Sequence, residues 1–227
     1  MVQFNEIRGF LFDLNGILTD SWIYHSQAWK QIADKLNIKW TPQLEEEIKG
    51  RSRLDTLDII LSSMGYKDKY TKAEKIQLAQ EKNNVYQTLI DKMSPADRLP
   101  GIMQFLEQLT SQGYRMAIAS ASENAPKEIE KLQLTNYFPN IVDITKIEHN
   151  KPAPDVYLKA AEMLGLTANQ CVGIDDGEVG IESINQAGAI SIGIGDLQVL
   201  KAADINFAST KDLTLANIQH NWNDHHA

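Results

Sequence analysis

The sequence holds a single cysteine, Cys171. One thiol cannot close an intrachain disulfide, so the plain expectation is a chain of a reducing compartment, the cytoplasm. Cys171 sits in the apolar segment CVGI, which predicts a buried structural thiol rather than a nucleophile. No apolar run approaches the roughly 18 residues that a membrane helix needs. The start, MVQFNEIRGF, lacks the basic-then-apolar plan of a signal peptide. Excess positive charge is missing too: 22 Lys and Arg stand against 30 Asp and Glu, a net charge of −8. Binders of nucleic-acid backbones usually show a basic face, so neither nucleic acid nor a membrane is an expected partner. A small anionic substrate stays compatible, because a few local cations outweigh the global balance.

No internal repeat and no low-complexity linker is present. Hydrophobic residues make up 43% and charged residues 23%, the balance of a folded globular chain rather than a disordered one. At roughly 150 residues per domain, 227 residues predict one core plus a smaller module, expected as a monomer.

GFLF (9–12) is a short apolar run closed by Asp13, Asn15 and Gly16, which predicts a buried strand entering a loop. Ala28, Trp29, Ile32, Ala33 and Leu36 then recur at helical spacing, which makes Trp29 a core residue. Thr41-Pro42 reads as N-cap and first helical position. Residues 53–64 and about 71–92 repeat the helical pattern, so 20–94 is predicted all-helical. After Pro95 the pattern alternates. Helices are expected at 101–112 and 124–134 and after KPAPD. Strands are expected at YRMAIAS (114–120), IVDI (141–144), CVGID, AISIGIG and, weakly, 204–208. Gly188 falls where a C-cap belongs. Such alternation implies a parallel sheet covered on both faces. The fold class is therefore α/β, with a Rossmann-like core at 1–19 and 95–227 and an inserted helical cap at 20–94. A last helix ends in HNWNDHHA, read as a frayed terminus rather than a metal site.

Open parallel sheets bind ligands beyond the carboxyl ends of their strands. Asp13 with Asn15, Ser120 with Ser122 and Asn124, Lys151, and Asp175 with Asp176 all fall at or near such ends. Separately each has a bland reading as cap, turn or solvated loop. Together they suit phosphoryl transfer. A carboxylate can attack phosphorus and form an aspartyl phosphate. Mg2+ takes one or two carboxylates plus phosphate and water, which Asp13 and Asp176 can supply with Asp175 in support. Lys151 can offset charge on the transferring group.

FDLNGILTD, SAS, KPAPD and GIDDG, in that order, resemble the motifs of the haloacid dehalogenase superfamily of aspartyl-phosphate enzymes, with the four-helix cap subclass. YHSQAWK, KGRSRLDTL, EKNNVY, SPADRLPGI and ASASENAP resemble the β-phosphoglucomutase family over nearly the whole chain. The resemblance implies interconversion of β-glucose 1-phosphate and glucose 6-phosphate through glucose 1,6-bisphosphate, with Mg2+ as cofactor and a small phosphorylated sugar as partner. Asp13 would be nucleophile and metal ligand, the Asn15 carbonyl a second ligand, and Asp176 a third with Asp175 beside it. Ser120, Ala121 and Lys151 would hold the transferring phosphoryl group, and Arg53, Ser122 and Asn124 the other phosphate. His25, Lys49, Gly50, Thr56 and Lys82 would line the sugar site. The cap would close over the substrate and exclude water.

One departure touches the chemistry. Asn15 stands where the family pattern has the Asp that acts as general acid–base. An amide has no exchangeable proton of use near neutral pH, and a positioned acid–base is worth about 10²–10⁴ in rate. Asn15 is then a substitution that traps a phosphoenzyme, a natural mark of a weakly active or purely binding protein, or a loss made good by His25 or a water. Glu123 replaces a Lys of the mutase pattern, and Asp175 and Gly177 replace a Glu and a Ser. The rival readings are a sugar-phosphate phosphatase and a disabled sugar-phosphate binder. A dehalogenase fits poorly, since the acidic metal pair would have no role.

Overall fold

The computed structural model describes residues 3–48 and 53–226, with side chains through Trp222. The chain divides into two compact units, residues 1–20 with 94–227, and residues 21–93.

The larger unit is built on a six-stranded parallel sheet: β1 (Gly9–Phe12), β2 (Arg115–Ile118), β3 (Asn140–Ile141), β4 (Cys171–Asp175), β5 (Ile190–Ile194) and β6 (Ile205–Phe207). Their order across the sheet is β3-β2-β1-β4-β5-β6, the doubly wound Rossmann-like arrangement. β1 is central and pairs with both β2 and β4, Leu11 lying opposite Ala117 and Gly173. Its four residues are all buried because both faces of the sheet are covered. Leu11 joins the core formed with Val156, Tyr157, Ala160, Ile181 and Ile184. Successive strand residues face opposite ways, so Phe10 and Phe12 pack on the other side, against Phe105 at 5.7 Å and Phe138 at 5.2 Å.

The covering helices are α5 (Ile102–Ser111), α6 (Ala125–Lys131), α7 (Asp155–Met163), α8 (Glu178–Ala187) and α9 (Leu215–His226). They are numbered after the four helices of the smaller unit. Gly188 caps α8 with φ +79°, a left-handed conformation that costs glycine nothing. The IVDI segment is a strand only at Asn140–Ile141. Asp143 turns its carboxylate onto the Thr145 N–H at 3.2 Å, a local bond that competes with the ladder. The side chains of the terminal Asn223–Ala227 lie outside the described residues.

The smaller unit holds α1 (Trp22–Lys35), α2 (Pro42–Glu47), α3 (Arg53–Ser62) and α4 (Lys72–Ile90). The Thr41 hydroxyl accepts from the Leu44 N–H at 3.2 Å, and Thr71 with Glu74 forms a capping box that starts α4. Trp29, Ile32, Leu57, Ile60 and Leu78 share one core, so Trp29 is core as its spacing predicted. No described helix is long and apolar enough to cross a membrane.

Cys171 opens β4 and is buried. Burial pushes its thiol up to about 12, so almost no thiolate exists near neutral pH. At pH 8 the folded protein is expected to leave a disulfide reagent unreacted and to release one equivalent of thiol only on denaturation. Rapid labelling of the native chain would contradict this.

Candidate active site

Parallel pairing brings the carboxyl ends of β2, β1 and β4 side by side. The backbone is tied just past them: Asp13 N–H donates to the Ile174 carbonyl at 2.9 Å and Ala119 N–H to the Phe12 carbonyl at 2.7 Å. Residues far apart in sequence thereby meet.

Lys151, in the crossover before α7, places its Nζ 2.7 Å from Asp13 Oδ1 and 2.8 Å from Asp175 Oδ2. All three side chains are largely buried, with exposures of 9%, 12% and 5%. Burial by itself would lower the Lys151 ammonium, but the two carboxylates outweigh it and hold the group above the usual lysine range. Burial pushes Asp13 up to about 6, opposed by Lys151 and reinforced by Asp175. Asp176 is pushed up to about 8 by the protein packed around it and by the charges of Asp13 and Asp175. Asp176 is exposed as a residue, and the two like charges add to the effect of burial. Asp175 Oδ1 accepts from the Gly177 N–H at 2.9 Å, and Oδ2 accepts from the Tyr157 hydroxyl at 2.6 Å as well as from Lys151. Burial and the neighbouring carboxylates keep the Tyr157 phenol well above its ordinary value, so it is the donor.

Two glycines make room for these acids. Gly16 has φ +76°, and a Cβ there would lie 1.8 Å from Asp176 Oδ2. A Cβ on Gly180, in the first turn of α8, would lie 1.9 Å from Asp175 Cγ. Gly180→Ala is therefore expected to expel Asp175 from its three hydrogen bonds. An overpacking cost of about 1–3 kcal/mol outweighs the roughly 1 kcal/mol that Ala gains in a helix. The net loss of up to about 2 kcal/mol should lower thermal unfolding by up to roughly 8 °C; a raised midpoint would refute the close packing.

Beyond β2, Ser120 is buried and its hydroxyl accepts from the Ser122 N–H at 3.2 Å. The Ser122 hydroxyl accepts from the Asn124 N–H and donates to Glu128 Oε1, both at 3.2 Å. In this arrangement the Ser122 proton is directed at the Glu128 carboxylate. Asn124 is buried and Ala121 exposed. Glu123 is exposed.

The smaller unit carries the remaining sequence-predicted residues. Lys82 is buried, with its Nζ 2.7 Å from His25 Nδ1 and above the rings of Trp29 and Tyr86 at 5.1 and 4.7 Å. His25 stacks on Tyr86 with centroids 4.0 Å apart. Burial, then the charges of Lys82 and Arg53, hold His25 well below the usual histidine range. It is a neutral ring whose Nδ1 accepts from the lysine. Arg53 opens α3 half-buried, and Thr56 is buried one turn on. Lys49 and Gly50 lie outside the described residues.

Tyr157 and Glu128 were missed by sequence reasoning. Tyr157 sits at helical spacing among apolar residues and reads as core. Glu128 carried a signal: Ala125, Glu128, Ile129 and Leu132 form one buried stripe, and a carboxylate on such a stripe needs partners.

Among the described residues no group of three or more His, Cys, Asp or Glu is placed to hold a metal ion by itself. The donors still suit Mg2+. They are hard oxygens, burial and the charge of Asp175 raise both Asp13 and Asp176, with Asp13 adding to the rise of Asp176, and Gly16 leaves room for Asp176 at the β1 end. Mg2+ needs only one or two carboxylates when phosphate and water complete its shell. Asp175, beside Asp176, already accepts three hydrogen bonds.

A haloacid dehalogenase-like hydrolase family model matches residues 10–194. The chain is 41% identical to the β-phosphoglucomutase of Bacillus subtilis over 95% of its length and 96% of that protein's. It is 26% identical to a phosphorylated carbohydrates phosphatase of Thermotoga maritima over 80% of this chain and 82% of the relative. The crystal structure of β-phosphoglucomutase from Clostridium difficile superposes with a TM-score of 0.88 at 37% identity, covering 96% of this chain and 98% of that one. The chain is a β-phosphoglucomutase-like member of the haloacid dehalogenase superfamily.

Proposed function

We propose that the chain interconverts β-glucose 1-phosphate and glucose 6-phosphate through an aspartyl phosphate on Asp13 and glucose 1,6-bisphosphate, at a rate held down by Asn15. The observation that carries the reading is Lys151 bound between Asp13 and Asp175 at 2.7 and 2.8 Å, at the strand ends where a phosphoryl group would be received. The whole-length likeness to β-phosphoglucomutases supports the sugar.

In this reading an Asp13 oxygen attacks phosphorus, the bond from phosphorus to the sugar oxygen breaks as that oxygen takes a proton from water, and an acyl phosphate forms; in the reverse step the other hydroxyl gives its proton to water as it takes the group. Lys151 fixes Asp13 Oδ1 and keeps a positive charge beside the transferring oxygens. Ser120, with the backbone at Ala121, supplies further donors. Asp13, the carbonyl of Asn15 and Asp176 would hold Mg2+, which draws charge from the phosphoryl oxygens when bound. Arg53, Asn124 and the Ser122 backbone are assigned the second phosphate. His25, Lys49, Gly50, Thr56 and Lys82 are assigned the sugar.

A phosphatase is the second reading, favoured by the likeness to a carbohydrate phosphatase. The two separate in one assay. The chain receives Mg2+ and β-glucose 1-phosphate, with and without a trace of glucose 1,6-bisphosphate. Slow glucose 6-phosphate formation that requires the bisphosphate is the expected result. Phosphate release without that requirement would establish the phosphatase. Tight sugar-phosphate binding with no product would establish a binding protein.

A further inference from the structure

We propose that Tyr157 is a positioning residue of the phosphoryl-transfer site: its hydroxyl, by donating to Asp175 Oδ2, keeps the Lys151 ammonium shared between Asp175 and Asp13 instead of collapsed onto Asp175. The inference rests on the proposed function only for the roles of Lys151 and Asp13; the geometry is independent of it.

Tyr157 is fully buried on α7. Its oxygen lies 2.6 Å from Asp175 Oδ2 and 3.4 Å from Lys151 Nζ, and its ring centroid lies 4.9 Å from the same Nζ. The three groups therefore form one compact unit. Asp175 Oδ2 takes two donors, the neutral phenol and the charged ammonium, while Oδ1 is occupied by the Gly177 N–H.

A buried carboxylate oxygen holding too few donors pulls strongly on any cation in reach. Lys151 is the cation in reach, 2.8 Å away. The phenol meets part of that demand with a donor that carries no charge. The ammonium is then left free to bond Asp13 at 2.7 Å, where it serves the nucleophile. A phenylalanine would fill the same volume and present the same ring face to Lys151, but it would leave Oδ2 with Lys151 as its one side-chain donor. The ring explains the packing of α7 on the sheet. The hydroxyl explains where the lysine sits.

The test is Tyr157→Phe in the full chain, read by crystal structure and by kinetics with β-glucose 1-phosphate, Mg2+ and glucose 1,6-bisphosphate. Lys151 Nζ is expected to move off Asp13 Oδ1 toward Asp175. The kcat is expected to fall about tenfold or more, the scale of one hydrogen bond to a charged group, with KM within about twofold. In an Asp175→Asn background the same Tyr157→Phe change is expected to have no further effect on kcat, because the residue acts through Asp175. An unmoved lysine overturns the proposal, as does an equal loss of kcat in the Asp175→Asn background. If the parent chain turns over no sugar phosphate, the proposed function fails, and the position of Lys151 in the Tyr157→Phe crystal still decides the role of Tyr157.

Discussion

Asn15→Asp is expected to raise the rate of glucose 6-phosphate formation from β-glucose 1-phosphate by about 10²–10⁴-fold. Asn15 follows Asp13 by two positions, half-buried in the turn after β1, where Gly16 N–H donates to the Thr19 carbonyl at 2.8 Å. The turn is held by backbone bonds, so exchanging an amide for a carboxyl of the same size leaves it in place. What changes is proton capacity. Transfer from the sugar demands a proton for the departing oxygen, and transfer to the sugar demands that a hydroxyl lose one. Asn15 supplies neither. The measurement is product formation over time for both chains under identical Mg2+ and bisphosphate. A gain of the expected size would assign Asn15 the loss of acid–base catalysis. Equal and substantial rates would mean that another group carries the proton. Absence of product from both would reject glucose phosphates and call for other sugar phosphates.

Lys151→Met is expected to abolish measurable turnover, a loss of about 10²–10³ or more in kcat, and to destabilise the fold in a pH-dependent way. Met keeps much of the stem and removes the charge, leaving Asp13, Asp175 and Asp176 without the ammonium that pairs two of them. Removing one partner of a buried ion pair costs about 3–5 kcal/mol. The sign with pH follows from the carboxylates. Asp13 and Asp176 already bind protons more tightly in the folded protein than ordinary carboxyls do, at about 6 and about 8. Losing Lys151 raises Asp13 further. A group whose folded pKa is raised gains stability as pH falls through that value toward its unfolded value of about 3.9. The deficit against the parent should therefore be large at pH 8 and smaller at pH 5. Denaturant melts at the two pH values measure it. An equal deficit at both would show that the lost ammonium was not balancing these carboxylates.

Much of the architecture is a local property of the sequence. GFLF and CVGID are short apolar runs closed by acids and glycine, and such runs are buried strands in a sheet covered on both faces. Thr41-Pro42 and Thr71 with Glu74 mark helix starts because their side chains meet orphan N–H groups within three residues. Asp13, Ser120, Lys151, Asp175 and Asp176 were visible as candidates because together they fall at or near the carboxyl ends of predicted strands and suit one chemistry, although each alone reads as a cap, turn or loop residue.

The tertiary structure decided how those candidates bond. Lys151 meets Asp13 across 138 residues of sequence and Asp175 across 24. No local pattern encodes either distance; both follow from the strand order that sets β1 beside β4. The ring of Tyr157 is core, and only its hydroxyl reaches the acid. Ser122 was visible as a candidate phosphate ligand, whereas its bond to Glu128 Oε1 was not. Gly16 and Gly180 each leave the space that a carboxylate occupies, Asp176 and Asp175 respectively. The sequence by itself determined which elements form and which residues carry chemistry, because periodicity, caps and charge act over a few residues. The partners of each charge were decided by the tertiary structure, because burial, pairing and excluded volume act between elements that meet only once the sheet is assembled.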